Sequence, residues 1–273
     1  MIDLHLHTTA SDGRLTPRAL VERVAAAGVT VMAVTDHDTT ASVTEVRRHA
    51  AGYGIEVVSG IEITAVDSGR DVHVLGYFMN PDDEALAALL TTQRARRVER
   101  VQAMAGRLAS LGLPIDITPL VADARRESGR SVGRPQIAQA MIAAGHVRDS
   151  REAFDRWLGA DGAAYVPREG PAIEDVIAAL HAAGGLASLA HPGKTRIDGR
   201  IPALRDAGLA AIEAFHPDHD EPQRAVYASL AASLGLLLTG GSDFHGDPSH
   251  GREPGTMPLP VAEWTRLRAA ARS

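Results

Sequence analysis

Seven short apolar runs recur along the chain, each carrying a histidine, aspartate or glutamate at or near its end, and this repetition narrows the possible folds. They are MIDLHLH, VTVMAVTDHD, IEVVSGIEI, RDVHVLGYF, LASLAHP, LAAIEAFHP and GLLLTGGSDFH. Helical patterns separate many of them. Thr16-Pro17 opens the first helix at its cap and first turn, with Leu20, Val24 and Ala27 as the buried stripe and Gly28 as the stop. Repeated strand-then-helix units imply a parallel sheet with helices outside, and a closed barrel gathers its strand-end groups at one mouth. Polar residues far apart in sequence are thereby expected to meet.

The pattern changes in the middle of the chain, where arginine-rich helical stretches such as TTQRARRVERVQAMAGRLASLG carry no clear strand. Residues 88–165 are therefore expected to form a helical insertion capping the mouth of a barrel built from 1–87 and 166–273. Charge follows the same division. Residues 94–165 hold 12 Arg against 8 Asp and Glu, a net of +4, and the remainder holds 16 Lys and Arg against 26 acids, a net of −10. The preference for arginine over lysine, 27 to one, reflects composition more than function, but the placement sets a basic segment over an acidic one. A phosphate-bearing substrate suits a site facing both cations held by acids and arginines. The absence of cysteine leaves nitrogen and oxygen as the donors for any metal. No apolar run reaches the roughly 18 residues of a membrane span and the N-terminus lacks signal-peptide regions, so a cytoplasmic protein is expected, with no membrane association and no obligate protein partner.

In an extended Ile2–His7 segment, Asp3, His5 and His7 project to one face, and adjacent imidazoles there make a natural metal grip. Collected in order, the strand-end groups are His5, His7, Asp12, His37, Glu62, His73, His191, Asp243 and His245. One ion needs about three or four protein ligands, so these nine suffice for two or three ions if a carboxylate bridges. Asp3 is expected to orient an imidazole from behind, and Asp36 and Asp38 either do likewise or cap strand ends. His49, His146, His181, His219 and His250 read as surface or structural residues. His216, after LAAIEAF, is placed at the mouth, where it could contact substrate or donate a proton.

The ordered set HLH, TDHD, GIE, VHVLGY, AHPG and SDFH resembles the PHP (polymerase and histidinol phosphatase) superfamily from end to end, with the nearest likeness to stand-alone metal-dependent phosphoesterases bearing a helical insertion. Those proteins act on nucleotides with 3′ and 5′ phosphates or on RNA 5′ ends. The resemblance implies an α/β fold, a distorted seven-stranded (β/α) barrel, around a trinuclear centre of Mn, Fe or Zn. Carried over by position, it implies one metal on His5, His7, Glu62 and Asp243, a second on Glu62, His73 and His191, and a third on Asp12, His37 and His245. Arg134, beside a glycine and a proline at a helix start, and Arg168, where the chain re-enters the barrel, match positions from which such insertions reach a phosphate, with Lys194 a weaker candidate.

The activity expected is hydrolysis of a nucleotide phosphate ester by a hydroxide bridging the metals, with Glu62, Arg134 and His216 in catalytic roles and Arg134, Arg168 and His216 touching substrate. Two alternatives stay open: a histidinol-phosphate phosphatase, and a non-catalytic metal-binding module of the kind attached to polymerases.

Overall fold

The computed structural model of the chain describes residues 1–125, 129–247 and 251–271. The strands are β1 (Ile2–Asp3), β2 (Val31–Val34), β3 (Glu56–Asp67), β4 (Arg70–Tyr77), β5 (Leu186–Leu189), β6 (Ala211–Phe215) and β7 (Leu237–Gly240). The helices are α1 (Pro17–Ala26), α2 (Val43–Ala50), α3 (Glu84–Ser110), α4 (Thr118–Arg125), α5 (Arg134–Ala143), α6 (Ser150–Ala153), α7 (Ile173–Ala182), α8 (Pro192–Thr195), α9 (Ile201–Asp206), α10 (Glu221–Leu234) and α11 (Val261–Ala270). The strands form one seven-stranded sheet in sequential order. Leu6 pairs in parallel with Phe244, and Leu4 N–H donates to Gly240 O at 3.2 Å, so the first and last strands meet and the sheet curls into a nearly closed barrel.

The sheet is mixed where the strand-helix repetition suggested a parallel one. β3 pairs antiparallel with β4, and β4 antiparallel with β5, while the other neighbours are parallel. Two residues, Ser68 and Gly69, join β3 to β4 with φ of 49° and 79°. Positive φ at both central positions is the primed turn that matches strand twist, so the connection is a hairpin and not a crossover. As a result Glu62 and His73 lie within long strands, not at strand ends.

Helix α1 begins as its sequence dictates. Thr16 Oγ1 accepts the Ala19 N–H at 3.3 Å, Pro17 follows, and Leu20, Val21 and Val24 are buried. The long helix α3 crosses the expected boundary at residue 88. Its first turns place Leu86 and Leu90 in the cluster between β3, β4 and α7, whereas Val98, Val101, Met104 and Leu108 join α5 and Leu158 in a separate apolar cluster. Each such fully buried side chain contributes roughly 1.5–3 kcal/mol. One rigid helix therefore ties the two cores together. Among the described residues no helix is long and apolar enough to cross a membrane.

Candidate metal centre

The chain between β1 and Asp12 is held on both sides. Leu6 N–H donates to Thr35 Oγ1 at 3.2 Å, His7 N–H donates to Phe244 O at 3.0 Å, and the His5 and His7 rings lie 5.2 Å apart, fully buried. Gly241 permits this approach: a Cβ there would stand 2.4 Å from His5 N. His37 is brought beside Glu62 by paired backbone bonds, Glu62 N–H to Asp36 O at 3.3 Å and Asp38 N–H to Glu62 O at 2.9 Å. Asp38, His191 and Asp243, each just beyond a strand, adopt φ of 51°, 27° and 50°. Such backbone costs about 1–3 kcal/mol per residue and persists where the surroundings enforce it.

All nine strand-associated residues converge, and Glu62 is their hub. Its Oε2 faces His5 Nε2 at 3.1 Å, His7 Nε2 at 3.3 Å and His37 Nδ1 at 3.3 Å. Its Oε1 faces His73 Nδ1 at 2.6 Å and His191 Nε2 at 3.1 Å. Asp243 Oδ1 lies 3.4 Å from both His5 Nε2 and His7 Nε2, and Asp12 lies 3.2 Å from His245 and 3.5 Å from His37. Three sets bring one donor atom from each member within 4.8 Å: His5, His7 and Asp243; His7, Asp12, His37 and His245; and His37, Glu62 and His73. The first holds three of the four residues expected on one metal, and the second adds His7 to the expected Asp12, His37 and His245. The third joins His37 to Glu62 and His73, with His191 linked through the same Glu62 oxygen as His73.

The residues fit divalent cations. Both ring nitrogens of His7, and Nδ1 of His37 and of His191, are buried without a hydrogen-bond partner among the described residues. An unpaired buried polar atom costs about 1–3 kcal/mol, and those of His7 and His37 lie beside the carboxylates of Asp12, Glu62 and Asp243. Neutral imidazole and carboxylate donors suit Mn, Fe and Zn. Electrostatics agree. Burial opposes ionisation of Asp12, Glu62 and Asp243, yet the surrounding imidazoles hold all three well below the usual carboxylate range. Burial likewise opposes charge on His7, but the carboxylates of Asp243 and Glu62 beside it push it up to about 10, whereas burial takes His37 down to about 3 and His191 to about 4. The carboxylates stay ionised and draw positive charge inward, as protons or as cations.

Glu213 completes the centre and was not among the residues singled out from sequence. Fully buried in β6, it lies 2.7 Å from His5 Nδ1 and accepts the His191 N–H at 2.8 Å. Burial works against its ionisation, but His5 brings its carboxyl down to about 2. With Nδ1–H of His5 donated to Glu213, Nε2 presents its lone pair to Glu62 and Asp243. Asp3 does not orient an imidazole as expected. It accepts backbone N–H groups from His5, Ser242 and Gly255 at 3.3, 2.9 and 2.7 Å, and so fixes the chain rather than the ring. Asp36 binds Thr8, Ser11 and Ser42 and secures the loop that carries Asp12.

His216 also departs from expectation. Its side chain is fully buried behind Asp243 instead of standing at the mouth. Nδ1 accepts the Asp218 N–H at 3.1 Å, which puts the proton on Nε2, 3.2 Å from Asp243 Oδ2. The ring thus orients a carboxylate and is committed as a donor. His219, read as a loop residue, is buried, and its Nε2 accepts the Gly193 N–H at 3.1 Å next to His191. His250 lies outside the described residues.

A cavity of about 320 Å³ is lined by members of this cluster and by Arg97, Arg100, Arg134 and Arg168, together with Asp71. Arg134 opens α5 and lies 3.3 Å from Asp71, over the rings of Phe154 and Tyr165 at 5.7 and 5.8 Å. Arg100 meets the same carboxylate at 3.0 Å. Arg168, expected free to reach a phosphate, is instead buried against Asp38 at 2.9 Å, although it still lines the cavity. Lys194 lines it too, 2.8 Å from Asp218 and 3.5 Å from Asp243. Arg97 and Arg100 were missed in the sequence, yet a signal existed. Arg97 stands on the buried stripe of α3 with Leu90, Gln93, Val101 and Met104, where an apolar residue belongs.

The site can be set beside known proteins. Residues 3–127 match the PHP domain family. A 5′-3′ exoribonuclease of Haemophilus influenzae is 35% identical over 250 residues, covering 89% of each chain. A 3′,5′-nucleoside bisphosphate phosphatase of Chromobacterium violaceum is 33% identical over 95% of this chain and 92% of its own. A phosphoribosyl 1,2-cyclic phosphate 1,2-diphosphodiesterase of Eggerthella lenta is 35% identical over 92% of this chain and 96% of its own. Among solved structures, a protein of Bifidobacterium adolescentis assigned as a metal-dependent phosphoesterase superposes with a TM-score of 0.88 at 34% identity, over 98% of this chain and 95% of the other. Enzymes that match along the whole length leave the non-catalytic alternative without support. With this barrel, this convergence of imidazoles and carboxylates, and these relatives, the chain belongs to the PHP domain family and is a metal-dependent phosphoesterase.

Proposed function

We propose that the protein hydrolyses phosphate esters of nucleotides, 3′,5′-nucleoside bisphosphates or short RNA oligonucleotides, using two or three divalent cations of Mn, Fe or Zn. One observation carries the reading: a single cavity is lined both by members of the imidazole-carboxylate cluster and by four arginines. Divalent cations bound at the cluster supply an acidified water and neutralise charge on the phosphoryl oxygens. His5, His7, Glu62 and Asp243 would hold one, Glu62, His73 and His191 a second, and Asp12, His37 and His245 a third. Supporting this, the two oxygens of Glu62 face different imidazole sets, as a bridging carboxylate requires.

The chain's own groups do the rest. Residues 88–165 act as a cap that brings Arg97, Arg100 and Arg134 over the centre and narrows the space open to water. Two aspartates are shared by four arginines on that wall, leaving net positive charge for an anionic substrate. Arg134 and Arg168 bind phosphate oxygens, while His216 keeps Asp243 oriented. Among the relatives, the substrates in their names are a nucleoside bisphosphate, RNA and a phosphoribosyl cyclic phosphate, and the arginine wall favours a substrate bearing more than one phosphate.

The test is a panel of a nucleoside 3′,5′-bisphosphate, a short 5′-phosphorylated RNA, histidinol phosphate and an aryl phosphate, assayed with Mn²⁺. Preference for one of the first two is expected, and turnover confined to histidinol phosphate would refute the assignment. On the preferred substrate Arg134→Ala should cut kcat/KM by about 10 to 100-fold with metal content intact, since a hydrogen bond to a charged group is worth roughly 1.5–3 kcal/mol. The aryl phosphate should lose less, because it never reaches the arginine. Equal losses would place Arg134 on the transferred phosphate.

A further inference from the structure

We propose that Asp38 is a positioning residue that fixes Arg168 in the cavity as a ready N–H donor to an anion, and that it does so because Arg97 locks the same carboxylate from the insertion side. This rests on the reading that the arginine wall meets the substrate phosphate. Asp38 is fully buried and joins four parts of the chain. Its N–H donates to Glu62 O at 2.9 Å, its Oδ1 accepts the Thr64 N–H at 2.9 Å, and its carbonyl accepts from Arg94 at 3.1 Å. Its Oδ2 accepts from both Arg97 Nε and Arg168 Nη2. Positive φ at this residue turns the chain directly after His37.

The two arginines are not equivalent. Arg97 is spent internally, with Nη1 on Val132 O at 3.2 Å and Nη2 on Thr64 Oγ1 at 2.9 Å as well as Nε on Asp38. Arg168 bonds Asp38, and its Nε is buried with no hydrogen-bond partner among the described residues, while the residue, 7% exposed, lines the cavity. A guanidinium held at one edge with an unpaired N–H is arranged for an anion to complete. Two guanidinium groups sharing one carboxylate leave one net positive charge, so the unit attracts a phosphate without burying two uncompensated cations. Because Asp38 also bonds β3 at Glu62 and Thr64, one residue ties the Arg168 guanidinium to the metal cluster.

The measurement is steady-state turnover of adenosine 3′,5′-bisphosphate by the Mn²⁺-loaded enzyme for wild type, Asp38→Asn, Arg168→Ala and the double variant. Arg168→Ala is expected to raise KM about 10-fold with a smaller change in kcat, and Asp38→Asn to do the same with metal content unchanged. In the Arg168→Ala background Asp38→Asn should add less than about twofold, because both act through one contact. Added guanidinium ion should recover activity in Arg168→Ala and fail to do so in the double variant. Should Asp38→Asn not fold, Asp38→Glu, which keeps the charge but displaces it, should raise KM in the same selective way. Multiplicative losses in the double variant, or guanidinium recovery that survives without Asp38, would make Asp38 a residue of the fold alone and overturn the proposal. A different pattern, Arg168→Ala without effect on KM, would bring down the reading of the arginine wall itself, and the role of Asp38 with it.

Discussion

Exchanging Glu62 for Gln is expected to lower kcat/KM by at least about 10³-fold, roughly 4 kcal/mol of transition-state stabilisation, and to reduce bound metal by more than one ion per chain. The size follows from geometry. Five imidazoles face this one carboxylate, three on one oxygen and two on the other, so the change weakens two sites together. Gln keeps the volume but swaps an anionic oxygen for an NH₂ donor, which faces either the His73 and His191 set or the His5 and His7 set with the wrong polarity. The melting temperature of the metal-free protein should move far less than activity does. Near-normal turnover with full metal content would show that Glu62 bridges nothing.

The second large effect concerns Glu213, which touches no candidate metal position. Glu213→Gln should weaken metal affinity about 10 to 100-fold, the range seen when the partner behind a metal-ligating histidine is removed. Glu213 fixes the proton of His5 on Nδ1 and also holds the His191 backbone, so its loss frees two imidazoles at once. Excess Mn²⁺ should restore much of the activity, because the ligands themselves are still present. Loss of activity that no metal concentration recovers would place Glu213 in the reaction itself and not behind it.

Much of this arrangement is legible in the sequence because a polar group in or just beyond an apolar strand exposes its chemistry, even where, as for Glu62 and His73, it lies inside the strand. The nine residues stand out since histidine, aspartate and glutamate interrupt apolar runs, and barrel topology brings such interruptions together. The cap of α1 was equally plain, being a local matter of Thr16 and Pro17. The hairpin was not read, although Ser68-Gly69 between two apolar runs is a turn signal, because the surrounding alternation of strand and helix invited a crossover. Glu213 escaped for a different reason. It sits within LAAIEAF, where a single acid resembles an edge of the pattern until the segment after β1, which is not a neighbour of β6 in the sheet, supplies His5. His216 drew attention by position but is spent on Asp243, a distinction that depends on which nitrogen accepts the Asp218 N–H. Arg168 shows the same limit, since its partner Asp38 lies 130 residues away. Sequence marks which residues are chemically costly to place, and only packing decides whether each faces a substrate or another side chain.

The central claim is that this cluster of imidazoles and carboxylates holds the divalent ions on which hydrolysis depends. Element analysis of protein purified without chelator, followed by a chelator titration of nucleoside bisphosphate turnover on the same sample, tests it most directly. Two or three ions per chain from among Mn, Fe and Zn are expected, with activity falling in step with metal and returning when metal is restored. At most one ion per chain, with turnover indifferent to chelator, would contradict it.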